Sequence, residues 1–404
     1  MKERTAHPVE TFCIFAPMIA FFLPVDMFLL FSSLACLVII LNIKEFIKVI
    51  LYSYNYLLYI FALYMTLLAA INHNMLGLIT SGLFYLVVIY VSYLRFKMNK
   101  GIFEAMMILC GFGSMFSLYY CTVNFYSTST YKLFAFFMHY IPISYAYITH
   151  IAENIRSTST FVDPNYYGNI CAAIGLISMY YILKSFRNFL KDKTLYSVKI
   201  AFYLIVLAVN LYGLNLTQSR SSYLAFIAGV AFLILTYDLR LFIGLLIPVV
   251  LVIVFKYKPI LTLFPRLDSL NGSATTRLKI YSIAMQEIGK HPFFGKGFYT
   301  YPLIYAKYSN EYSIHAHNMI LELMLSSGLA GLSVLAAGIA KMLWNPIRQW
   351  LKKDMEYMPL VLGLLALVTA SGYTDAVILF PQCFILFSLI LTSLEVNNEK
   401  NKEI

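Results

Sequence analysis

The chain passes from a charged loop into a membrane segment at HAHNMILELML, residues 315–325. The apolar run that begins there continues to about residue 339, close to the ~20 residues that a helix needs to cross a bilayer. The segment before it, 257–316, is polar and basic, with seven lysines and arginines against three acids. The stretch therefore predicts a charged loop that returns to the membrane.

The composition places the rest of the chain in the membrane as well. Hydrophobic residues make up 60% of it, charged residues 12%, and the mean hydropathy is +0.74, outside the range of soluble proteins. The apolar runs predict an all-α integral membrane protein with about twelve transmembrane helices. The predicted spans are 11–24, 27–42, 49–71, 75–93, 102–124, 166–183, 200–216, 223–237, 241–256, 317–339, 357–373 and 377–394. The first two are short and also fit one long bent segment.

The positive charges predict the orientation. Most of the 30 lysines and arginines fall in connections that are cytoplasmic if the N-terminus is inside. Both termini are then cytoplasmic, and 1–404 forms a single polytopic membrane domain with two outer loops, 125–165 and 257–316. The second loop is large and is expected to contain short helices and part of the active site. The net charge of +11 is explained by topology, so the bilayer is the expected partner and nucleic acid is not.

The N-terminal segment and the cysteines have simple interpretations. No small-residue cleavage site follows the first apolar stretch, so we expect it to be retained rather than removed as a signal peptide. The six cysteines all lie in apolar segments without paired spacing. They are predicted to be core residues, with no disulfide framework or metal cluster.

Two arginines stand at expected helix starts on the outer side, where the positive-inside bias disfavours them. Arg220 lies in the polar hairpin 217–222, whose Ser and Thr residues suit capping of the next helix. Arg277 opens the amphipathic stretch 278–288 and is expected in the first turn of that helix, behind a Thr cap. A bound phosphate or carboxylate would suit both positions. The alternatives are a snorkelling arginine and an ordinary surface arginine.

Titratable residues gather where the loop enters the membrane. On a helix, residues two apart diverge by about 200°, so His315 and His317 face one site only if their backbone is extended. A shared metal is then the alternative, but no acidic ligand cluster supports it, and a single histidine acting as acid or base is favoured. If the segment is helical, Glu322 shares a face with His315 and Asn318, and a carboxylate inside an apolar helix is usually functional. Asp375 is another acid at an outer membrane edge.

Several short motifs follow one another in a fixed order. They are LTQSR at 216–220, TRL at 276–278, HPFFGKG at 291–297, HAHN at 315–318 and GLAGL at 328–332. Over about 160–380 this order and spacing resemble the O-antigen ligase and O-antigen polymerase family.

The resemblance implies an inverting, metal-independent glycosyltransferase of the bacterial cytoplasmic (inner) membrane that needs no cofactor. Its donor would be an undecaprenyl-diphosphate-linked glycan, and its acceptor a hydroxyl of a glycan or lipid at the outer face. By resemblance, Arg220 and Arg277 hold the donor diphosphate, His317 is the catalytic base, and Asp375 matches an acid of the ligases. The residues expected to support the site are His315, Asn318, Glu322, Asp375 and, in the large outer loop, Arg266.

Two alternatives stay open at this point. The sequence does not separate a polymerase, which joins repeat units, from a ligase, which moves a finished glycan onto another acceptor. A polysaccharide transporter or flippase without catalytic activity is the alternative from another class, and it predicts broken helices and charges near mid-membrane. The unusual charges here gather at the outer edge and in one loop, which favours an enzyme.

Overall fold

The computed structural model describes residues 8–126, 156–161, 163–248, 250, 270–309, 313–351, 356–377 and 380–401. All regular structure in these residues is helical, so the predicted all-α class is confirmed for the described part of the chain. The α-helices are α1 Pro8–Ala20, α2 Val25–Leu41, α3 Ile43–Leu51, α4 Tyr56–Ile71, α5 Met75–Lys97, α6 Lys100–Tyr126, α7 Pro164–Asn188, α8 Lys193–Thr217, α9 Arg220–Tyr237, α10 Leu239–Pro248, α11 Leu270–Lys290, α12 Tyr301–Tyr305, α13 Met319–Leu351, α14 Met358–Gly372 and α15 Pro381–Leu391. Short 3₁₀ segments cover Tyr52–Tyr54 and Thr392–Asn401.

Six of the described helices are long and apolar enough to cross a bilayer. They are Met75–Lys97, Lys100–Thr122, Pro164–Asn188, Lys193–Thr217, Arg220–Tyr237 and Met319–Trp344. A seventh span is possible if Val25–Leu41 and Ile43–Tyr54, which are bent by 100°, count as one broken segment. The multi-pass membrane character is therefore confirmed, while twelve spans and the sidedness of the termini stay predictions.

The N-terminal third is divided differently from the predicted spans. Residues 11–24 and 27–42 form two separate helices, α1 and α2, and not one long bent segment. The predicted span 49–71 is interrupted, because Ser53 and Tyr54 have positive φ angles of 42° and 66°, which no helix tolerates. Helix α4 begins only after this turn, at Tyr56.

The chain forms two compact units, each built from separate stretches. Unit 1 comprises Met1–Ala35, Lys100–Pro265 and Pro359–Leu367, and unit 2 comprises Cys36–Asn99, Arg266–Met358 and Val368–Ile404. Most of the predicted first outer loop and residues 257–269 of the second lie outside the described residues. Helices α11 and α12 fall in the segment predicted as the large outer loop, and the loop boundaries and the single domain stay predictions.

In unit 1, α7 packs against α8 and α9 and is largely buried. Two neighbouring residues fix its start: the Asp163 carboxylate accepts the N–H of Asn165 at 2.6 Å, and Pro164 occupies the first turn. All six cysteines are buried and free, as expected for core residues.

In unit 2, the loop after α11 is held against α4 and α5. The ring of Phe298 lies 6.4 Å from that of Phe61 and 5.1 Å from that of Phe84. Asn74 caps α5 by accepting the N–H of Gly77, and its Nδ2 donates to the carbonyl of Phe298 at 2.8 Å. The loop is thus fixed at one end of these two membrane helices.

Helix α13 is broken inside its membrane span at Gly328, whose φ and ψ are 63° and −174°. A break leaves backbone groups on both sides without helical partners, which is costly in a bilayer unless they are paired elsewhere. The HPFFGKG segment, 291–297, supplies the partners. Its carbonyls at 292 and 293 accept the N–H groups of 329 and 330, and its N–H groups at 296 and 297 donate to the carbonyls of 325 and 326, all at 2.9 to 3.1 Å.

Glycine is required where these two segments meet. A Cβ on Gly295 would lie 2.2 Å from the carbonyl carbon and oxygen of Ser326. Gly297 and Gly328 have positive φ angles of 88° and 63°, which favour glycine. The motifs HPFFGKG and GLAGL therefore form one packed structure, which explains why the chain carries both.

Candidate active site

The two histidines lie on a short non-helical turn that precedes α13. His317 has a φ of 48°, in the left-handed region that side chains rarely adopt. This backbone directs both rings toward one carboxylate: His315 Nε2 lies 3.4 Å and His317 Nδ1 lies 3.6 Å from Oδ1 of Asp375. The non-helical alternative is the one observed, so Glu322 does not share a helical face with His315.

Asp375 is the buried centre of this group, with 1% of its surface exposed. Its Oδ1 also accepts the backbone N–H of Ala376 at 2.8 Å. Burial alone would raise the pKa of Asp375, but its interactions with the His315 and His317 imidazoles and with this N–H lower it to about 2. The carboxylate is therefore ionised at neutral pH.

His315 is neutral at neutral pH. Burial lowers its pKa to about 4, although the negative charge of Asp375 acts to raise it. Its Nδ1 accepts the backbone N–H of His317 at 3.2 Å. This hydrogen bond assigns the ring proton to Nε2, the nitrogen that faces Asp375.

The ring of His317 has one buried side, beside Asp375, and one accessible side. Its Nδ1 is buried and has no hydrogen-bond partner within the described part of the chain, and Asp375 Oδ1 is the acceptor that faces it at 3.6 Å. A proton on Nδ1 directed at Asp375 leaves the lone pair on Nε2. The side chain is 31% exposed, and because Nδ1 is buried the exposed part lies elsewhere on the ring. In a typical histidine general base, one imidazole nitrogen faces a carboxylate and the other is accessible to the substrate.

The strained turn is held by hydrogen bonds from three directions. The Glu322 carboxylate accepts the N–H of Ala316 at 2.7 Å, and the Tyr281 hydroxyl donates to the carbonyl of His317 at 3.0 Å. Asn318 caps α13 by accepting two N–H groups of its first turn, and its Nδ2 donates to the carbonyl of Tyr373 at 3.0 Å. Asn318 and Glu322, both predicted to support the site, thus bind the turn that carries the histidines.

Arg277 lies in the same unit, but its position on its helix differs from the prediction. Helix α11 begins at Leu270, so Arg277 stands about two turns inside it and not in the first turn. The argument from an N-terminal dipole therefore does not apply to Arg277. Its positive charge helps to lower the pKa of His315 and opposes the burial that raises the pKa of Tyr281, which places it within electrostatic range of the histidines.

Tyr281 is a site residue that sequence reasoning missed. It follows Arg277 by four residues, so both side chains lie on one face of α11. That spacing is the signal that could have indicated Tyr281. Because the chain contains 33 tyrosines, however, a single tyrosine near an arginine carries little information.

Arg220 belongs to unit 1, where it is the first residue of α9, as predicted. Ser219 occupies the N-cap position, but its hydroxyl does not cap the helix; it donates to Oδ1 of Asn165 at 2.9 Å. Arg156, which was not predicted as a site residue, links α7 to the hairpin by donating to Asn165 Oδ1 at 2.8 Å and to the Thr217 carbonyl at 2.9 Å. Arg266, predicted to support the site, lies outside the described residues.

Asp375 and the two histidines beside it also resemble a metal-binding set. One ligand atom each from His315, His317 and Asp375 lie within 4.8 Å of one another. A nitrogen that carries a proton cannot bind a metal, and the hydrogen bond to His315 Nδ1 places the proton on the nitrogen that faces the site. The absence of a metal stays a prediction.

A comparison with known families now adds to this geometry. Residues 202–336 match the family model described as O-antigen ligase. This region of the chain is similar to the O-antigen ligase family. The match includes Arg220, Arg277, His315 and His317, and it is narrower than the 160–380 range of the motifs. No curated protein sequence matches the chain at a significant level.

The expected resemblance to the O-antigen ligase family is thus confirmed. This family implies an enzyme that acts on polysaccharide, by a transfer of the glycosyl type in the membrane. It also implies a lipid-linked glycan and an acceptor as the substrates. A transporter without catalytic activity is not favoured.

Proposed function

We propose that this O-antigen ligase relative transfers a glycan from an undecaprenyl-diphosphate donor to an acceptor sugar hydroxyl at the outer face of the cytoplasmic membrane. The observation that carries the proposal is the pair of His317 and Asp375, an imidazole that is backed by an ionised and buried carboxylate. The pair stands in the same unit as Arg277, within range of its charge. A base and a nearby cation are the two groups that this reaction needs.

The base acts on the acceptor. Nε2 of His317 takes the proton of the acceptor hydroxyl while its oxygen attacks the anomeric carbon of the donor sugar. The imidazolium that forms is stabilised by the Asp375 carboxylate behind it. Attack from the face opposite the leaving group inverts the configuration at that carbon.

The leaving group needs cations more than it needs an acid. As the bond between the anomeric carbon and the diphosphate oxygen breaks, its electron pair moves to the lipid diphosphate, where negative charge grows. We propose that Arg277 binds this diphosphate, because a guanidinium stays charged and binds phosphate oxygens in a bidentate way. For Arg220, which lies in unit 1, the same role rests on its position at the start of α9 and on the family resemblance.

The supporting residues act by position. Glu322 and Asn318 hold the backbone on either side of His317, and His315 donates its Nε2 proton toward Asp375. None of these contacts requires a metal, so we propose a metal-independent reaction.

Broken helices are a feature that the transporter alternative also predicts, and the described residues contain a break at Gly328 and a bend of 100° between α2 and α3. In transporters the unwound backbone binds the substrate, whereas here segment 291–297 already occupies the exposed groups. The break at Gly328 therefore gives no support to a transporter. The choice between polymerase and ligase depends on the acceptor, and repeat-unit glycosyltransferase genes beside this one would favour a polymerase.

The diphosphate assignment is tested by substitution of the arginines. Arg277→Lys and Arg220→Lys keep the charge but lose the bidentate contact, so glycan production should fall strongly in each. Lys279→Ala is the matched control, because Lys279 is an exposed cation two residues along the same helix. Full glycan production by Arg220→Ala and Arg277→Ala at normal expression would refute the assignment.

A further inference from the structure

The segment that caps the broken helix exposes two adjacent aromatic rings. Phe293 and Phe294 are 66% and 63% exposed, although the backbone on both sides of them is bound to α13. Two adjacent exposed rings form a contiguous apolar patch, and such patches mark sites of contact with a protein or a membrane.

The depth of the break in the membrane indicates what covers these rings. The span Met319–Trp344 has 26 residues, or ~39 Å of helix, against a hydrocarbon core of roughly 30 Å. Gly328 lies about 16 residues, or ~24 Å, from Trp344. Even if Trp344 stands at the edge of the hydrocarbon, as tryptophans often do, the break lies roughly 6 Å inside the other edge.

The capping segment must then lie at the same depth, because it is hydrogen-bonded to both sides of the break. Such a position is acceptable in hydrocarbon since these bonds occupy the backbone groups. The charge of Lys296 is also matched: its Nζ lies 3.3 Å from Oε2 of Glu287, which is 5% exposed. Glu287 further accepts hydrogen bonds from Lys290 and Tyr308, both at 2.6 Å. The ion pair with Glu287 lowers the cost of bringing Lys296 into the membrane.

We propose that Phe293 and Phe294 insert into the hydrocarbon of the bilayer and contact lipid acyl chains. Segment 291–297 is then a membrane anchor between α11 and α12, placed at the outer end of the break. The anchor directly follows Lys290, the last residue of α11, and so fixes the height of Arg277 and Tyr281 relative to the bilayer surface. The inference depends on the span and the break and not on the proposed reaction.

Site-directed spin labelling measures this depth. The variants Phe293→Cys and Phe294→Cys would each be spin-labelled and placed in liposomes of bacterial lipids. Power saturation then measures how accessible each label is to oxygen, which concentrates in hydrocarbon, and to a nickel chelate, which stays in water. The native cysteines are buried, and the unsubstituted protein measures any background labelling. Ile339→Cys, 47% exposed on the span, is the lipid control, and Lys307→Cys, exposed after α12, is the water control.

The proposal expects oxygen-to-nickel accessibility ratios at 293 and 294 close to that at 339 and several-fold above that at 307. Each ring is replaced in a separate variant. If one variant fails to fold, the other still measures the depth of the segment. Ratios like that at 307 would show that the rings face water. Labels inaccessible to both reagents would show that protein covers them. Either result would overturn the proposal.

Discussion

Replacement of Asp375 by asparagine isolates the electrostatic part of the site. Asn keeps the shape, and its amide oxygen can still accept the N–H of Ala376. The substitution removes the negative charge that lies 3.6 Å from Nδ1 of His317. The imidazolium that forms when His317 takes a proton then has no counter-ion, so the barrier to transfer should rise.

The size of the effect follows from that distance. Two unit charges 3.6 Å apart interact by about 4.6 kcal/mol at an effective dielectric constant of ~20. His317 is 31% exposed, and water that doubles the effective constant would halve this energy to about 2.3 kcal/mol. At ~1.36 kcal/mol per factor of ten, kcat should fall by about 50-fold to 2,500-fold.

The assay is transfer by purified protein, followed by gel or mass spectrometry of the glycan. Asp238→Asn is the matched control, since Asp238 is an exposed acid that caps the start of α10 in unit 1, and its kcat should stay near that of the unsubstituted protein. An Asp375→Asn variant that keeps more than a third of the original kcat would show that His317 does not depend on this carboxylate.

Three further predictions concern packing, pH and topology. Gly295→Ala should lower the free energy of unfolding by about 1–3 kcal/mol, because the added Cβ would collide with the backbone of Ser326. Gly289→Ala is the control and should leave the free energy of unfolding unchanged, because a Cβ at that position meets open space. His315 has a folded-state pKa of about 4 against an ordinary 6.5, so the unfolded state binds a proton first as the pH falls. Stability should therefore drop by up to about 3 kcal/mol between pH 6.5 and 4, and His315→Gln should remove most of that drop in a melting experiment. Cysteines at 97 and 190 should react with membrane-impermeant reagents from the cytoplasm and one at 270 from outside; labelling of 270 from the cytoplasm would reverse the orientation.

Local sequence signals predicted some elements well because the responsible residues are neighbours. Asp163 and Pro164 start α7 where their capping chemistry requires. Arg220 opens α9 for a similar reason, at the end of a polar hairpin. These positions depend on contacts within a few residues, which a sequence displays directly.

Other features depend on distant partners and could not be read in this way. Residues 271–273 are Asn, Gly and Ser, which favour a loop, yet α11 already begins at Leu270 and thereby moves Arg277 out of the first turn. The break at Gly328 had no local sign, because glycine is common in membrane helices. It arises from a segment more than thirty residues earlier in the chain.

In the candidate site, some features follow from the local sequence and others depend on distant partners. The sequence predicted His317, Asn318, Glu322 and Asp375 as site residues, but it left open whether the two histidines face one site. The answer depends on a positive φ at His317, which Tyr281 and Glu322 help to maintain. No pattern of residue types predicts such a strained angle.

The transfer rate of the purified protein in excess EDTA tests most directly whether His317 is a base and whether the reaction runs without a metal. We expect the same rate with and without the chelator, and a rate lower by about 10²–10⁴ in His317→Ala under both conditions. If EDTA stops the reaction and zinc or magnesium restores it, His315, His317 and Asp375 are metal ligands and the assignment of the base is wrong.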